Sequence, residues 1–345
     1  MKVLQYFENP GLISRSGIGH AQRLQQEELS YTDIVLDTSP FSKDYDLIDV
    51  NTYGPKSLAM VAKARLQNRR VVYHAHSTYE DFRNSFIGSN FLSKPFKRHL
   101  VKAYRQADLI ITPTPYAKSL LRSYGLKQPI VPISNGVRVS SYHRNKSKIV
   151  KFRQFLNLKA DDKRKIIISV GLYFQRKGIM DFVELARRNP KHLFVWFGYT
   201  DLRIIPKKIR ETVKKDHPAN CIFAGYITGD VLQGAYSGAD LFLYPSYEET
   251  EGIVVLEALA SSQKVLVRDI PVYTDWLHDG FDCYKAASLD DFDKRLNEIL
   301  SGKVKDVSKA GHEVALKRDV SVIGPRLKKA YEKALSLPSQ ESNEY

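Results

Sequence analysis

Two carboxylates eight positions apart, Glu249 and Glu257, are the residues of this 345-residue chain whose types and spacing point most directly to chemistry. They bracket Gly252 in the stretch Ser246-Tyr247-Glu248-Glu249-Thr250-Glu251-Gly252-Ile253-Val254-Val255-Leu256-Glu257-Ala258. A helix opening near Gly252, with Ile253 and Val254 in its first turn, offers unbonded backbone N–H groups and a positive dipole end to an anion. Glu249 then sits in the loop beside that anion, and Glu257 lies two turns into the helix. The arrangement suits a diphosphate flanked by two hydroxyl-rich sugars, as in a nucleotide sugar. An acidic surface loop before an amphipathic helix is the plainer alternative, and the strand-loop-helix context argues against it.

A second cluster supplies positive charge. Gly171-Leu172-Tyr173-Phe174-Gln175-Arg176-Lys177-Gly178 follows an apolar strand, and the carboxyl ends of strands are where open α/β sheets bind ligands. Arg176 and Lys177 there can neutralise a diphosphate that gains charge as a glycosidic C–O bond breaks. Near the N-terminus, Ser16-Gly17-Ile18-Gly19-His20 lies between a strand and a helix. Position 22 is Gln22, so this is no dinucleotide fingerprint. His74 and His76 stand two apart at the end of a strand and share a face, a pairing compatible with metal, yet no third ligand is evident. The pairs Asp44/Asp46 and Asp291/Asp293 satisfy a bare D-x-D pattern, but neither follows a strand beside a nucleotide pocket. Both read as surface, and no metal site is assigned.

The elements that must position these residues alternate. Val3 to Phe7, Leu47 to Asn51, Val71 to His74, Leu109 to Thr112 and Ile130 to Ile133 read as short buried strands, with helices over Ser57 to Asn68 and Tyr116 to Tyr124. The pattern resumes with strands at Lys165 to Val170, Leu193 to Phe197, Ile222 to Phe223, Leu241 to Tyr244 and Lys264 to Val267. Such β-α alternation implies an α/β protein with parallel sheets covered on both faces. Val137 to Arg164 is polar, basic and without a strand, and reads as the linker. The expected division is 1–145, 160–320, and 321–345 as a C-terminal helix with a frayed polar tail.

Together these motifs resemble the retaining GT-B glycosyltransferases of family 4, with their E-x7-E signature. The resemblance implies two Rossmann-like domains facing a cleft, with the final helices crossing back to the N-terminal domain. It implies that Glu249 contacts donor-sugar hydroxyls and Glu257 the nucleoside ribose. Lys177 before Gly178 matches the family's Lys-Gly. The family arginine after the first glycine is replaced here by Leu172, and Arg176 stands in for it. Gly17 and Gly19 correspond to the family's glycine loop near the donor phosphate, and His76 to the histidine that contacts the transferred sugar. Gly198, Gly225 and Tyr226 fall where the nucleobase lies, and Ser134-Asn135-Gly136-Val137 matches the turn closing the first domain. Glu251 occupies a place where the family usually has an aromatic residue. No cofactor is implied, the UDP-sugar being a co-substrate.

Composition narrows the partners. The chain is 43% hydrophobic and 26% charged, as a soluble globular protein is. Cys221 and Cys283 show no metal-type spacing and read as reduced thiols of a cytoplasmic protein. The N-terminus lacks a signal-peptide apolar core, and the longest apolar run, Ile166 to Phe174, is too short to span a bilayer. The net charge is +15, and Phe86 to Arg153 carries fourteen Lys or Arg against the single acid Asp108. Within it, Phe96, Leu100 and Tyr104 recur at helical spacing, while Lys97, Arg98, Lys102 and Arg105 point elsewhere. That pattern fits a helix lying on anionic lipid, and equally a surface helix packing its stripe on its own sheet. No helix-turn-helix, zinc-finger or RRM signature accompanies the charge, so nucleic acid is not an expected partner.

The segments Ser77 to Asn90 and Glu249 to Ala260 further resemble the Gram-positive synthases that glycosylate monoglucosyldiacylglycerol to make the lipoteichoic acid glycolipid anchor. The resemblance implies a hexosyltransferase, peripheral on the inner face of the cell membrane, using UDP-galactose or UDP-glucose and a glycolipid acceptor. Galactose transfer to monoglucosyldiacylglycerol is the leading expectation. A UDP-glucose-dependent, processive diacylglycerol glucosyltransferase and a GT-B nucleotide-sugar epimerase are the alternatives.

Overall fold

The computed structural model describes residues 1–9, 11, 17–159 and 161–338. The chain forms two compact units, one of Met1–Tyr79, Leu92–Gly136 and Arg318 onward, the other of Glu80–Phe91 and Val137–Lys317. The first unit holds strands β1 (Lys2–Tyr6), β2 (Val35–Asp37), β3 (Leu47–Val50), β4 (Arg70–His74), β5 (Leu109–Thr112) and β6 (Ile130–Pro132). Their spatial order is β2-β1-β3-β4-β5-β6, and every neighbouring pair is parallel. Strands β3 and β5 are buried along their whole length, which is why Leu109-Ile110-Ile111 of β5 reads as a continuous apolar run rather than an alternating one, while β3 carries the buried Asp49 among its apolar residues. One apolar cluster lies on each face of the sheet.

The C-terminal helix Val320–Ser336 belongs to this unit and packs Ile323, Leu327, Ala330 and Tyr331 into one of those clusters. Gly324 lets it press against the Gly17–Ser30 helix, since a Cβ there would lie 1.9 Å from the Glu28 carbonyl oxygen. The frayed tail expected after Ser336 lies largely outside the described residues.

The second unit holds β7 (Ile166–Val170), β8 (Leu193–Phe197), β9 (Cys221–Gly225), β10 (Leu241–Tyr244), β11 (Val265–Arg268) and β12 (Tyr284–Ala286). The order is β12-β11-β10-β7-β8-β9, again parallel throughout. The chain runs outward from β7 through β8 to β9, then returns to the other side of β7 as β10. The order therefore reverses between β7 and β10, the place where a doubly wound sheet opens a crevice for ligands.

Several expectations are corrected. Val137 to Arg164 is no linker: it belongs to the second unit and folds into the helix Lys146–Phe155, capped by the Asn145 side chain. That helix is gripped by glycines, because a Cβ on Gly234 would lie 2.0 Å from the Lys148 carbonyl oxygen and one on Gly238 2.9 Å from Ile149. Polar composition hid the element, since only Phe152 of the helix is fully buried. Glu80–Phe91 goes with the second unit rather than with residues 1–145. The edge strands β2 and β12, three residues each, carry too few residues for a periodic signal. Gly17 and Gly19 lie inside the Gly17–Ser30 helix rather than in a loop, and Ser16 lies outside the described residues.

The helix Ser89–Tyr104 requires a further correction. Leu100 and Tyr104 are 0% and 1% exposed and belong to the core of the first unit. Phe96 meets Tyr53 edge-on at 5.4 Å. The apolar stripe thus faces the protein, so these three side chains are not lipid-facing. A 3.6-residue period records that one face is covered, whatever covers it. Lys97 lies 4.1 Å above the Tyr124 ring, while Arg98, Lys102 and Arg105 are exposed. No helix among the described residues is long and apolar enough to cross a membrane.

Candidate functional site

In the second unit, the segments leaving β7 and β10 converge at the reversal point. After β7, the chain makes a single 3-10 turn, Gln175–Lys177, and Gly178 ends it at φ 75°. Only glycine fits there, because a Cβ would lie 2.1 Å from the Pro245 carbonyl oxygen. This close approach sets the basic turn directly on the loop that follows β10. Tyr247 N–H donates to the Arg176 carbonyl (2.7 Å), and Ser246 Oγ lies 3.1 Å from the same oxygen.

Lys177 and Glu249 meet across this junction. Lys177 Nζ donates to Glu249 Oε1 at 2.5 Å and to Tyr244 Oη at 2.8 Å. The same carboxylate oxygen accepts from Tyr244 Oη (2.7 Å) and Ser246 Oγ (2.6 Å). Burial opposes ionisation of Glu249, but Lys177, Arg176 and these hydrogen bonds outweigh it and bring its pKa below the usual carboxylate value. Burial has the larger effect on Lys177: despite Glu249, and with Arg176 adding repulsion, its pKa falls to about 8. The ammonium is therefore poised near neutrality and held inside a polar cage.

Arg176 is differently employed. Its Nε donates to Ser85 Oγ (2.9 Å) and its Nη1 to the Glu248 carbonyl (3.1 Å), with Glu249 Oε1 3.9 Å away. The guanidinium braces the loop in addition to carrying charge.

At Gly252 the backbone adopts φ 94°, and the helix Ile253–Ala260 begins beyond it. Gly252, Ile253 and Val254 stay partly exposed, so the first turn can present its N–H groups. Glu257 is buried in the second turn. Tyr142 Oη donates to its Oε1 (2.5 Å) and Tyr236 Oη to its Oε2 (2.6 Å). Burial pushes both tyrosines well above their usual pKa, and the Glu257 charge adds to it. Glu251 is also buried.

Gly198 ends β8 at φ 129°, and a Cβ there would lie 2.0 Å from the Gly171 carbonyl. Gly198 N–H donates to Gly225 O, which ties the ends of β8 and β9 together beside Tyr226. Strand β9 runs to Gly225 itself, two residues beyond the apolar pair Ile222-Phe223.

Composition gave no warning of Arg268, the last residue of β11. It donates to the carbonyls of Pro245 (3.2 Å) and Ala287 (3.0 Å) and pairs with Asp181. Its guanidinium stacks 3.9 Å above the Tyr247 ring, and Tyr247 Oη donates to Asp181 (2.7 Å). Arg268, Asp181 and Tyr247 thus pin the loop that carries Glu249. The tyrosines at positions 142, 236 and 244 were equally missed. Tyr244 had a readable signal, as the polar end of an otherwise apolar strand next to the acidic loop.

In the first unit, His76 follows β4. Its Nε2 lies 2.7 Å from Asn51 Oδ1, an atom that can only accept, so this nitrogen bears the proton. Burial and the neighbouring His74 lower the His76 pKa well below the usual value, against a hydrogen bond with Asn135. His76 is neutral at physiological pH. His74 stacks on it at 4.9 Å between ring centroids, and its Nδ1 accepts from Gln25 Nε2 (2.8 Å). Tyr331 Oη and Gln25 both donate to Asp49, completing a buried network. Of the acidic pairs, Asp46 binds the Lys2 N–H and Asp291 caps the helix Leu289–Leu300, so both have structural employment.

Residues 33–141 match the model of Glycosyltransferase Family 4, and residues 150–314 that of Glycosyl transferases group 1. The chain is 39% identical over 339 residues to a processive diacylglycerol alpha-glucosyltransferase of Acholeplasma laidlawii, spanning 98% of this chain and 99% of that one. It is 28% identical over 187 residues to the alpha-galactosylglucosyldiacylglycerol synthase of Streptococcus pneumoniae, covering 53% of this chain and 50% of the other. Among solved structures, Anabaena Alr3699/HepE in complex with UDP-glucose superposes with a TM-score of 0.77 at 15% identity, covering 96% of this chain and all of that one.

Proposed function

Since this chain belongs to the family 4 glycosyltransferases of GT-B fold, among those that form glycosyldiacylglycerols, we propose that it transfers a hexose from a UDP-sugar to monoglucosyldiacylglycerol with retention. The observation that carries this reading is the Lys177–Glu249 pair at the strand-order reversal, beside the open first turn of the Ile253–Ala260 helix. In the proposed reaction, Lys177 and the N–H groups of Gly252 to Val254 hold the diphosphate, Glu249 accepts hydrogen bonds from the sugar hydroxyls, and Glu257 takes the ribose. Gly198, Gly225 and Tyr226 border the base. On the first unit, His76 acts on the transferred sugar as a neutral imidazole.

The bond from the anomeric carbon to the diphosphate oxygen breaks, and the acceptor oxygen bonds to that carbon on the same face. The acceptor proton passes to the departing diphosphate. Fixed positive charge stabilises the leaving group, and a role of this kind is worth roughly two to three orders of magnitude in rate. Protein cations supply that charge, so transfer is expected to continue in EDTA.

Galactose is the donor sugar of the first reading, which follows the resemblance of Ser77 to Asn90 and Glu249 to Ala260 to the synthases that glycosylate monoglucosyldiacylglycerol; these segments do not themselves distinguish galactose from glucose. A second reading, processive glucose transfer to diacylglycerol, is supported by the 39% identity to the Acholeplasma enzyme over nearly the whole chain. Purified protein incubated with labelled UDP-galactose or UDP-glucose, and with diacylglycerol or its monoglucoside, decides the matter by chromatography of the lipids. A single galactosyl addition to the monoglucoside supports the first reading. Successive glucosyl additions starting from diacylglycerol support the second. No glycolipid from either donor overturns both, and conversion of the UDP-sugar to its epimer would replace them.

A further inference from the structure

Buried polar side chains from separate elements of the first unit converge behind His76. Gln5 stands on β1, Asp49 on β3, His74 at the end of β4, Gln25 on the Gly17–Ser30 helix and Tyr331 on the C-terminal helix, all of them buried. The pairing of β1 with β3 makes Gln5 and Asp49 direct neighbours. Gln5 Nε2 donates to Gln25 Oε1 (2.6 Å), which turns the Gln25 amide nitrogen toward Asp49 Oδ2, His74 Nδ1 (2.8 Å) and Tyr331 Oη (3.2 Å). Tyr331 Oη donates in turn to Asp49 Oδ2 at 2.8 Å.

This cluster is a costly way to join two helices to a sheet. Among the described residues Asp49 pairs with no lysine or arginine; His74 Nδ1 lies 3.6 Å from its Oδ2, and its Oδ1 is buried with no hydrogen-bond partner. A buried carboxylate in that state opposes folding, whereas apolar side chains of similar size would pack there without the penalty. The C-terminal helix already has such packing through Ile323, Leu327 and Ala330. Attachment of the helix therefore does not account for Asp49 and Tyr331. Local costs of this kind are retained where they fix a functional geometry.

The geometry fixed here is that of the histidine pair. The bond from Gln25 orients the His74 ring, and the His76 ring lies parallel to it, with 6° between the planes and 4.9 Å between the centroids. At its edge His76 Nε2 donates to Asn51 Oδ1 (2.7 Å), and Asn51 directly follows the strand that carries Asp49. One face and one edge of His76 are thus set by β3 and by the cluster behind it.

We propose that Gln25, Asp49 and Tyr331 are positioning residues for His76: they hold the His74 ring in one plane, and His74 holds the His76 imidazole in the orientation that meets the transferred sugar. The proposal rests on the reading that His76 acts on that sugar. It makes the C-terminal helix a support of the reacting group, because Tyr331 anchors the carboxylate at the far end of the cluster.

Two isosteric variants of the full chain, Tyr331→Phe and Asp49→Asn, test this. Each should lower kcat for glycolipid formation about tenfold, as expected when a reacting group is displaced by a fraction of an ångström. The KM for the UDP-sugar, and UDP affinity by calorimetry, should stay at wild-type values, because the residues proposed to hold the donor diphosphate lie in the second unit. A double-mutant cycle separates positioning from a general loosening of the fold. Acting through His76, Tyr331→Phe should cost nothing further in a His76→Ala background. Losses that multiply overturn the proposal, since loosening would slow both backgrounds alike. Full-rate Tyr331→Phe and Asp49→Asn beside a slow His76→Ala overturn it too. A full-rate His76→Ala would instead strike the sugar-contacting reading, and the proposal with it. Nitrogen NMR of the imidazoles needs no turnover: the wild type should show His76 as one tautomer protonated at Nε2, and both variants a mixture with the Nδ1-protonated form. An inactive wild type that shows this change would strike the enzymatic reading and leave the positioning standing. Identical His76 spectra in the wild type and both variants overturn the positioning.

Discussion

Lys177 Nζ lies 2.5 Å from Glu249 Oε1, although the two residues come from segments after different strands and are separated by 72 positions in sequence. The contact exists because β7 and β10 are neighbours in the sheet and because Gly178 allows the turn after β7 to touch Pro245. In the proposed reaction, the cation for the diphosphate and the carboxylate for the sugar are thereby stored as a pair. Ligand binding would exchange their mutual contact for contacts with the donor.

Lys177→Ala and Glu249→Ala should each lower turnover by about two orders of magnitude, the usual cost of losing one preorganised electrostatic contact. Circular dichroism should show the fold intact. Near-normal transfer by either purified variant would remove that residue from the site.

The pKa of about 8 at Lys177 gives a pH dependence with a definite sign. Below that value the free enzyme carries the ammonium and can bind the diphosphate; above it the amine becomes neutral and the attraction fades. The rate constant kcat/KM for the donor should therefore fall as pH rises through about 8. Lys177→Arg, whose guanidinium keeps its charge, should abolish that alkaline limb even if its plateau is lower. An unchanged limb would assign it to another group.

Gly178 and Gly225 both have positive φ, but only Gly178 faces backbone at 2.1 Å. Gly225→Ala should cost about 1 kcal/mol, for conformation alone. Gly178→Ala must also move Pro245, and should cost more than about 2 kcal/mol. Urea unfolding of the two variants measures the difference. Equal losses would mean that the contact between turn and loop relaxes freely.

Arg268→Ala should destabilise the protein by about 3 kcal/mol, since it leaves Asp181 without its cation, with only the Tyr247 hydroxyl, in a largely buried setting. Donor kinetics should suffer as well, because the Tyr247 clamp that holds the Glu249 loop is lost. Tyr247→Phe removes only the bond to Asp181 and should produce a smaller effect on both measurements. A fully stable and fully active Arg268→Ala variant would show that the loop holds itself.

What the sequence determined by itself was the local order: short apolar strands, turns, helices, and the acidic and basic clusters at strand ends. These were legible because strands such as Leu109–Thr112 and Leu241–Tyr244 are buried on both faces, which forces continuous apolar runs. Tertiary structure decided what covers each apolar face and which clusters meet. The stripe of Leu100 and Tyr104 turned inward, while Phe91, in the first turn of the same helix, and Ile87 before it stayed outside. Lys146–Phe155, inside the expected linker, became an integral helix because two glycines elsewhere in the chain, Gly234 and Gly238, open a groove for it. Arg268, Tyr142 and Tyr236 found their carboxylates across 87, 115 and 21 residues respectively. A side chain's type and local period are fixed along the chain, but burial and pairing are set by long-range contact, and no local pattern encodes distances of that kind.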